Sequence, residues 1–176
     1  VSKKYVESAV YWLKIWLTDE AFKDYAPQIR HLVETDKWEF LLDSFYQIIP
    51  FGTGGRRGLV GIGPNRINPW TIQSSAQGHS QYLIKQFGEQ ARQRGVVLTF
   101  DVRKYTQKGI YDESRPNPVM NLDGLQLAEA AASVYAANGI KVYMFDTPRT
   151  TPELSFAIRH LNAVSGDMFS ASHNLT

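Results

Sequence analysis

From Lys3 to Leu17 the apolar residues Tyr5, Val6, Ala9, Val10, Leu13, Ile15, Trp16 and Leu17 recur at spacings of three and four, which predicts an amphipathic helix. A second helical piece follows Pro27, where Ile29, Leu32 and Val33 form a short apolar stripe. Trp38, Leu41, Leu42 and Phe45 resume the same period beyond a charged junction at Glu34 to Lys37. The first fifty residues therefore read as wholly helical, with Trp12, Trp16 and Trp38 on faces suited to core packing.

The pattern changes at Pro50. Phe51 to Pro69 carries six of the thirteen glycines together with Arg56, Arg57 and Arg66. Thr71 or Ser74 is placed to cap a following helix, which runs through Ile72, Ala76, Leu83 and Phe87 to a stop at Gly95. Val96 to Phe100 is almost entirely apolar, as a strand covered on both faces is. Asp101 to Leu122 is polar and proline-rich and too long for an ordinary connection, so it reads as a surface excursion or insertion. Asp123 then caps a helix through Ala137, closed by Asn138-Gly139. Ile140 to Phe145 reads as a second buried strand, Thr151-Pro152-Glu153 opens another helix, and Ala163 to Phe169 reads as a third strand. Strand, helix, strand, helix, strand predicts a parallel sheet. Ligands of such sheets gather beyond the carboxyl ends of the strands, which selects the loops after Phe100, Phe145 and Phe169.

Composition narrows this picture. A chain of 176 residues, 43% hydrophobic and 20% charged, suits a single globular domain. Nineteen basic against seventeen acidic side chains leave a formal charge of +2, so the overall field does not favour nucleic acid and any anion must be held locally. With no cysteine there is no disulfide, thiolate metal site or cysteine nucleophile. No apolar run approaches the ~20 residues needed to span a bilayer, and the N-terminus lacks a secretory h-region, so no membrane association is expected and the cytoplasm is the expected compartment.

The segment Phe51-Gly52-Thr53-Gly54-Gly55-Arg56-Arg57-Gly58 has two readings. Its glycines let backbone approach an anion while arginines bond phosphate oxygens, or it is a tight hairpin with solvated arginines. It lacks the Gly-Lys-Ser/Thr of a Walker A loop. Ser172 and His173 are neighbours, and neighbours on extended chain point to opposite sides, which argues against a nucleophile and base pair. Asp101 and Arg103 are spaced to form an ion pair that orients a loop, and Arg149 is another strand-end cation. His31, His79 and His160 lack metal-ligand spacing, and the scattered carboxylates suggest no two-acid glycosidase.

Three segments, in order, resemble the alpha-D-phosphohexomutase superfamily of phosphoglucomutases and phosphomannomutases. Phe51 to Gly58 is similar to the family's F-G-T-x-G-x-R-G opening. Gly61-x-Gly63-x-Asn65-Arg66-Ile67-Asn68, followed by Gln77-Gly78 on a helix, resembles the subgroup of bacterial phosphomannomutases and phosphopentomutase-like enzymes. Gly139 to Tyr143, Thr151 to Phe156 and Ser170-Ala171-Ser172-His173-Asn174 resemble the run that ends in the family's T-A-S-H-N-P phosphoserine loop. The likeness covers the chain from about Leu41 onward. It departs after Arg103, where the family continues directly into a serine-containing helix start, and at Leu175, where the family has proline.

The resemblance implies a three-layer α/β/α domain with a mainly parallel, mixed sheet (residues 50–176, domain I), preceded by an N-terminal helical extension (residues 1–49). It implies Ser172 as phosphoryl carrier and Mg²⁺ ligand, Arg57 as stabiliser of the transferring group and His173 as a proton-transfer candidate. Thr53, Gly54 and Asn174 would bind phosphate, and Asp101 with Arg103 would support them. Hexose phosphate as substrate and a sugar 1,6-bisphosphate as activator belong to the same implication. The D-G-D-x-D-R metal loop of the family's second domain, and its third and fourth domains, are absent from this sequence. The resemblance thus implies a truncated first domain, inactive alone, with uncovered apolar surface that promotes self-association. A noncatalytic phosphate-binding or interaction module is the alternative from another class. A serine hydrolase built on Ser172 ranks last, since nothing positions its histidine and acid.

Overall fold

The computed structural model describes residues 2–106 and 109–170. They fold as two compact units, Val1–Thr71 with Tyr105–Asn121, and Ile72–Lys104 with Leu122–Thr176. None of the described helices is long and apolar enough to cross a membrane.

The first unit contains α1 (Lys3–Thr18), a 3-10 turn (Glu20–Phe22), α2 (Ala26–Glu34) and α3 (Trp38–Phe45). Its centre is Trp16, fully buried, stacked on Phe22 at 4.4 Å and met edge-on by Tyr25, Phe45 and Trp70 at 4.9, 5.6 and 5.5 Å. Rings of this size bury much apolar area at low rotamer cost, so helices too short to persist alone are held by one aromatic centre. Trp38 departs from the expected core role. It is 54% exposed, and its indole N–H donates to Asp36 Oδ1 at 2.9 Å, because it opens α3 rather than facing inward.

The described residues of 105–121 do not form a surface excursion. Tyr111 and Val119 are buried in the same core as Trp16, and Tyr111 Oη accepts from the Ile62 amide at 3.0 Å. Gln28, on α2 and fully buried, fixes the segment. Its Nε2 donates to the carbonyls of Asp112, Arg115 and Pro116 at 2.8, 3.1 and 3.2 Å, and its Oε1 accepts from the Asp112 amide at 3.0 Å. Arg115 adds ion pairs to Glu34 at 2.6 Å and Asp112 at 3.0 Å. The apolar residues of this segment follow neither a helical nor a strand period, which hid their burial from pattern reading.

The second unit is built on β1 (Val96–Phe100), with the parallel sheet order β2 (Val142–Met144), β1, β3 (Ser165–Phe169). All five β1 residues are buried. Val96 and Leu98 pack with α4 (Pro69–Phe87), α5 (Glu89–Arg94) and α6 (Gly124–Ala137), whereas Val97 packs with α7 (Thr151–His160). Side chains of alternate strand residues leave on opposite faces, so this division is the three-layer α/β/α arrangement. The described strands are all parallel. β2 is shorter than the expected strand and only half-buried, since it lies at the edge of the described sheet.

Local chemistry sets the boundaries. Asn68 caps α4, not Thr71 or Ser74. Its Oδ1 accepts from the Thr71 amide and Thr71 Oγ1 accepts from the Asn68 amide, both at 3.0 Å, with Pro69 in the first turn. Asp123 and Gln126 form a capping box on α6, with bonds of 2.9 and 3.0 Å. Gly95 adopts φ 73°, and a Cβ there would stand 2.2 Å from the Lys141 carbonyl oxygen, so only glycine permits this entry into β1.

All four tryptophans lie in the first unit, so their fluorescence reports its unfolding. Gln28→Ala strands several buried backbone groups and is expected to cost about 2–4 kcal/mol, read as a lower urea midpoint. Burial pushes the Tyr25 phenol up to about 12, against the opposing effect of its bond to the Trp70 backbone. The folded unit therefore favours the protonated phenol. That contribution is complete below the ordinary value near 10 and is lost as pH rises through about 12. Tyr25→Phe is expected to remove about 2 kcal/mol of this alkaline loss, measured by urea titrations at pH 8 and pH 11.5.

Candidate functional site

The carboxyl end of β1 gathers the three loops singled out by the pattern. Phe100 is in register with Phe169, so β1 and β3 end together, and the Asp101 amide donates to the Phe169 carbonyl at 3.0 Å. The loop after β2 joins them, with the Arg149 amide donating to the Phe100 carbonyl at 3.2 Å. Arg149 itself pairs with Glu153 at 3.6 Å and lies over the Phe145 ring at 6.0 Å. Glu153 is held below the usual carboxylate range by bonds from the Thr150 amide and hydroxyl.

Asp101 is the hub of this edge. Its Oδ1 accepts from the Arg103 amide at 3.1 Å, and its Oδ2 accepts from Ser170 Oγ at 3.0 Å and lies 3.8 Å from Arg103 Nε. The ion pair anticipated from spacing thus forms, and it also holds Ser170, which sequence did not connect to it. Ser172, His173 and Asn174 lie outside the described residues.

The glycine-rich segment belongs to the first unit. Phe51 pairs antiparallel with Arg56, and the Gly52 amide donates to the Gly55 carbonyl at 2.8 Å, which makes a hairpin with Thr53 and Gly54 exposed at its tip. Three arginines that look alike in sequence have different surroundings. Arg66 is buried, paired with Asp43, and its guanidinium lies 5.3 Å over Phe40, so it is structural. Arg56 is partly buried, its Nη1 donating to the Thr71 carbonyl at 3.2 Å, and desolvation lowers its pKa. Arg57 is exposed and makes no hydrogen bond or ion pair with the described residues, which leaves its guanidinium available to an anion. Between them, Gly63 adopts φ 124° with Ser44 against it, and Asn68 Nδ2 donates to the Gly61 and Gly63 carbonyls, both at 2.9 Å. The Gly61-to-Asn68 motif is therefore an internally bonded loop.

Pattern reading missed a polar cluster on the α4/α6 face of β3. His79 Nδ1 lies 2.7 Å from Tyr135 Oη, the Tyr135 hydroxyl donates to Asp167, and Ser165 Oγ lies 3.3 Å from His79 Nε2. Since the tyrosine proton goes to the carboxylate, His79 Nδ1 donates to the Tyr135 oxygen. Burial, then the adjacent Asp167 charge, raises the Tyr135 pKa. Serine and aspartate two apart in Ser165-Gly166-Asp167 fall on one strand face, the one sequence signal that marked this site.

Among the described residues, no three His, Asp or Glu side chains converge to hold a metal ion. They do not by themselves fit the Mg²⁺ that the resemblance implies. A cavity of about 440 Å³ between β2 and α7, lined by Tyr143, Phe145, Phe156 and Leu161 among others, is apolar and is not the strand-end site.

Comparison with known proteins agrees with this architecture. The family described as phosphoglucomutase/phosphomannomutase, alpha/beta/alpha domain I, matches residues 120–176. The chain belongs to the alpha-D-phosphohexomutase superfamily and corresponds to its domain I. It is 36% identical to human phosphopentomutase over 163 residues, 93% of this chain and 23% of that protein. It is 34% identical to a phosphoglucomutase of Staphylococcus aureus (strain bovine RF122 / ET3-1) over 146 residues, 83% of this chain and 22% of that protein. The phosphopentomutase of Pongo abelii is 33% identical over 165 residues, 94% of this chain and 24% of its own length. The chain thus spans less than a quarter of these relatives, which are named as sugar phosphomutases. No solved structure matches it.

Asp167→Ala is expected to cost about 1–3 kcal/mol by stranding the buried Tyr135 hydroxyl. Thermal melts followed by circular dichroism should show Tyr135→Phe/Asp167→Ala losing less than the sum of the single variants, because they share one bond.

Proposed function

We propose that this chain is the phosphoserine-bearing first domain of a sugar phosphomutase acting on hexose phosphates in the cytoplasm, with residues 50–176 as the domain proper and 1–49 as its helical extension. The observation that carries this reading is the likeness to named phosphomutases over 93% of the chain, combined with Ser170 standing at the carboxyl edge of a parallel sheet and leading into Ser172.

In this reading phospho-Ser172 donates to a free hydroxyl of the sugar phosphate. The serine O–P bond breaks as the sugar oxygen bonds to phosphorus; His173 takes the sugar hydroxyl proton, and the departing serine oxygen is protonated from solvent. The sugar bisphosphate then turns over and returns its other phosphoryl group to Ser172. Arg57 offsets charge on the transferring group, while Thr53, Gly54 and Asn174 hold phosphate oxygens. Ser172, together with aspartates of the family's second domain, would hold a Mg²⁺, whose charge would screen the phosphoryl oxygens. One domain supplies neither that metal set nor sugar selectivity, so the chain alone is expected to be inactive.

A second reading, a noncatalytic phosphate-binding module, is favoured by the exposed Arg57 guanidinium. One experiment separates the two. The chain is grafted in place of the matching segment of the S. aureus phosphoglucomutase and assayed with glucose 1-phosphate and catalytic glucose 1,6-bisphosphate. Mutase activity is expected, abolished by Ser172→Ala and reduced about 100-fold or more by Arg57→Ala. Activity that survives Ser172→Ala would falsify the phosphoserine reading. Calorimetric binding of glucose 1,6-bisphosphate to the chain alone, lost in Arg57→Ala and unchanged in Ser172→Ala, together with an inactive graft, supports the binding module.

A further inference from the structure

The apolar cavity between β2 and α7 takes no part in the proposed reaction. It is bordered on the sheet side by Tyr143, Met144 and Phe145 and on the helix side by Glu153, Phe156, Ala157 and His160. Phe156 is 62% exposed, and Met144 and Leu161 are exposed beside it. Among the described residues β2 pairs with β1 alone, so the cavity lies at the margin of the described sheet, within reach of another molecule. Contiguous apolar surface of this kind marks an interaction site.

The helix side of the cavity carries a pattern that complements itself. Glu153, Phe156, Ala157 and His160 stand at i, i+3, i+4 and i+7, one face of α7. An acid begins the stripe, a base ends it, and a large ring sits beside a small residue in the middle. When a second α7 runs antiparallel across a two-fold axis between Phe156 and Ala157, each position meets its complement. Phe156 lies over the partner's Ala157, and Glu153 faces the partner's His160. A parallel pairing sets acid against acid, so charge selects the antiparallel one.

Both ends of the stripe are prepared for that pairing. Glu153 Oε2 accepts from the Thr150 amide and hydroxyl at 2.9 and 2.8 Å, which fixes the carboxylate at the helix start. Oε1 lies 3.6 Å from Arg149 Nε and keeps lone pairs for another donor. His160 stacks on Phe156 with centroids 5.5 Å apart and planes 13° apart, and its ring makes no hydrogen bond with the described residues. An imidazole N–H donates to a carboxylate in either charge state.

We propose that this face of α7 is a self-complementary interface whose occupant is a second copy of the chain, packed through antiparallel α7 helices with Phe156 at the axis. The resemblance implies self-association without a face or a symmetry, and the acid–aromatic–base stripe supplies both. The inference is independent of the reading of Ser172. Two helices of 10 residues bury less than a standard interface, so the dimer is micromolar rather than nanomolar.

Sedimentation equilibrium of the chain from about 5 to 500 µM tests this. A monomer–dimer equilibrium is expected, and a monomer throughout overturns the proposal. Phe156→Glu is expected to weaken dimerisation about tenfold or more, with the far-UV circular dichroism unchanged because the replaced ring is exposed. His160→Glu, which sets like charge against the partner's Glu153, should weaken it to a similar degree. His160→Lys keeps a donor and should stay within about threefold of wild type. Tyr11→Glu, at an exposed position of α1, should change nothing. A dimer that survives Phe156→Glu, or that Tyr11→Glu abolishes, lies on another face and overturns the proposal. Equal losses in His160→Glu and His160→Lys overturn the antiparallel charge pairing and the proposal with it. Because the chain has no cysteine, Ala157→Cys reads the axis directly. Oxidation is expected to link two copies of that variant and not two copies of Tyr11→Cys, and the reverse result overturns the proposal.

Discussion

The pairing of β1 with β3 is the constraint on which the strand-end site depends. Five residues of β1, all buried, run parallel to β3 from Val96 opposite Ser165 to Phe100 opposite Phe169. Parallel strands in fixed register end together, so residues nearly seventy positions apart in sequence, Asp101 and Ser170, meet at one edge. A slip of one residue would send each β3 side chain to the opposite face. Asp167 would leave its partners Tyr135 and His79, and Met168 would leave the layer it shares with Val97 and Leu154. The polar cluster on β3 thus resists the same slip that would dismantle the site.

The helical unit solves a different problem. Its helices have 16, 9 and 8 residues, and the two shorter ones are too short to persist in water without tertiary contacts. Trp16 supplies the shared centre, and the buried Gln28 amide adds a polar clasp to residues from far along the chain. A buried amide with its backbone partners satisfied specifies one docking position, since any displacement leaves several groups unpaired at once. This explains how a segment rich in proline and polar residues is held in a core without regular secondary structure.

Of the arginines near the glycine-rich hairpin, burial assigns different tasks to chemically identical groups. Arg66 is enclosed beside Asp43 and Phe40, Arg56 ties the hairpin to the first turn of α4, and Arg57 faces solvent. Only the last keeps a full set of donors for an anion. The tandem in the sequence is therefore, among the described residues, one tether and one unpaired cation rather than a doubled phosphate clamp.

The strands, the helices and their order were legible from residue pattern, because amphipathic spacing, Gly95, the Asp123 cap and Thr151-Pro152-Glu153 are local signals that act within a few residues. The resemblance carried by Phe51 to Gly58 and Ser170 to Asn174 placed the chain in its superfamily for a similar reason, since such motifs are short and contiguous. What local signals do not encode is who meets whom across the fold. The docking of residues 105–121 on Gln28, the His79–Tyr135–Asp167 cluster, the burial of Arg66 and the bond from Ser170 to Asp101 all join distant segments. Their existence follows from strand register and helix packing, which settle positions to within an ångström only when the whole chain is folded.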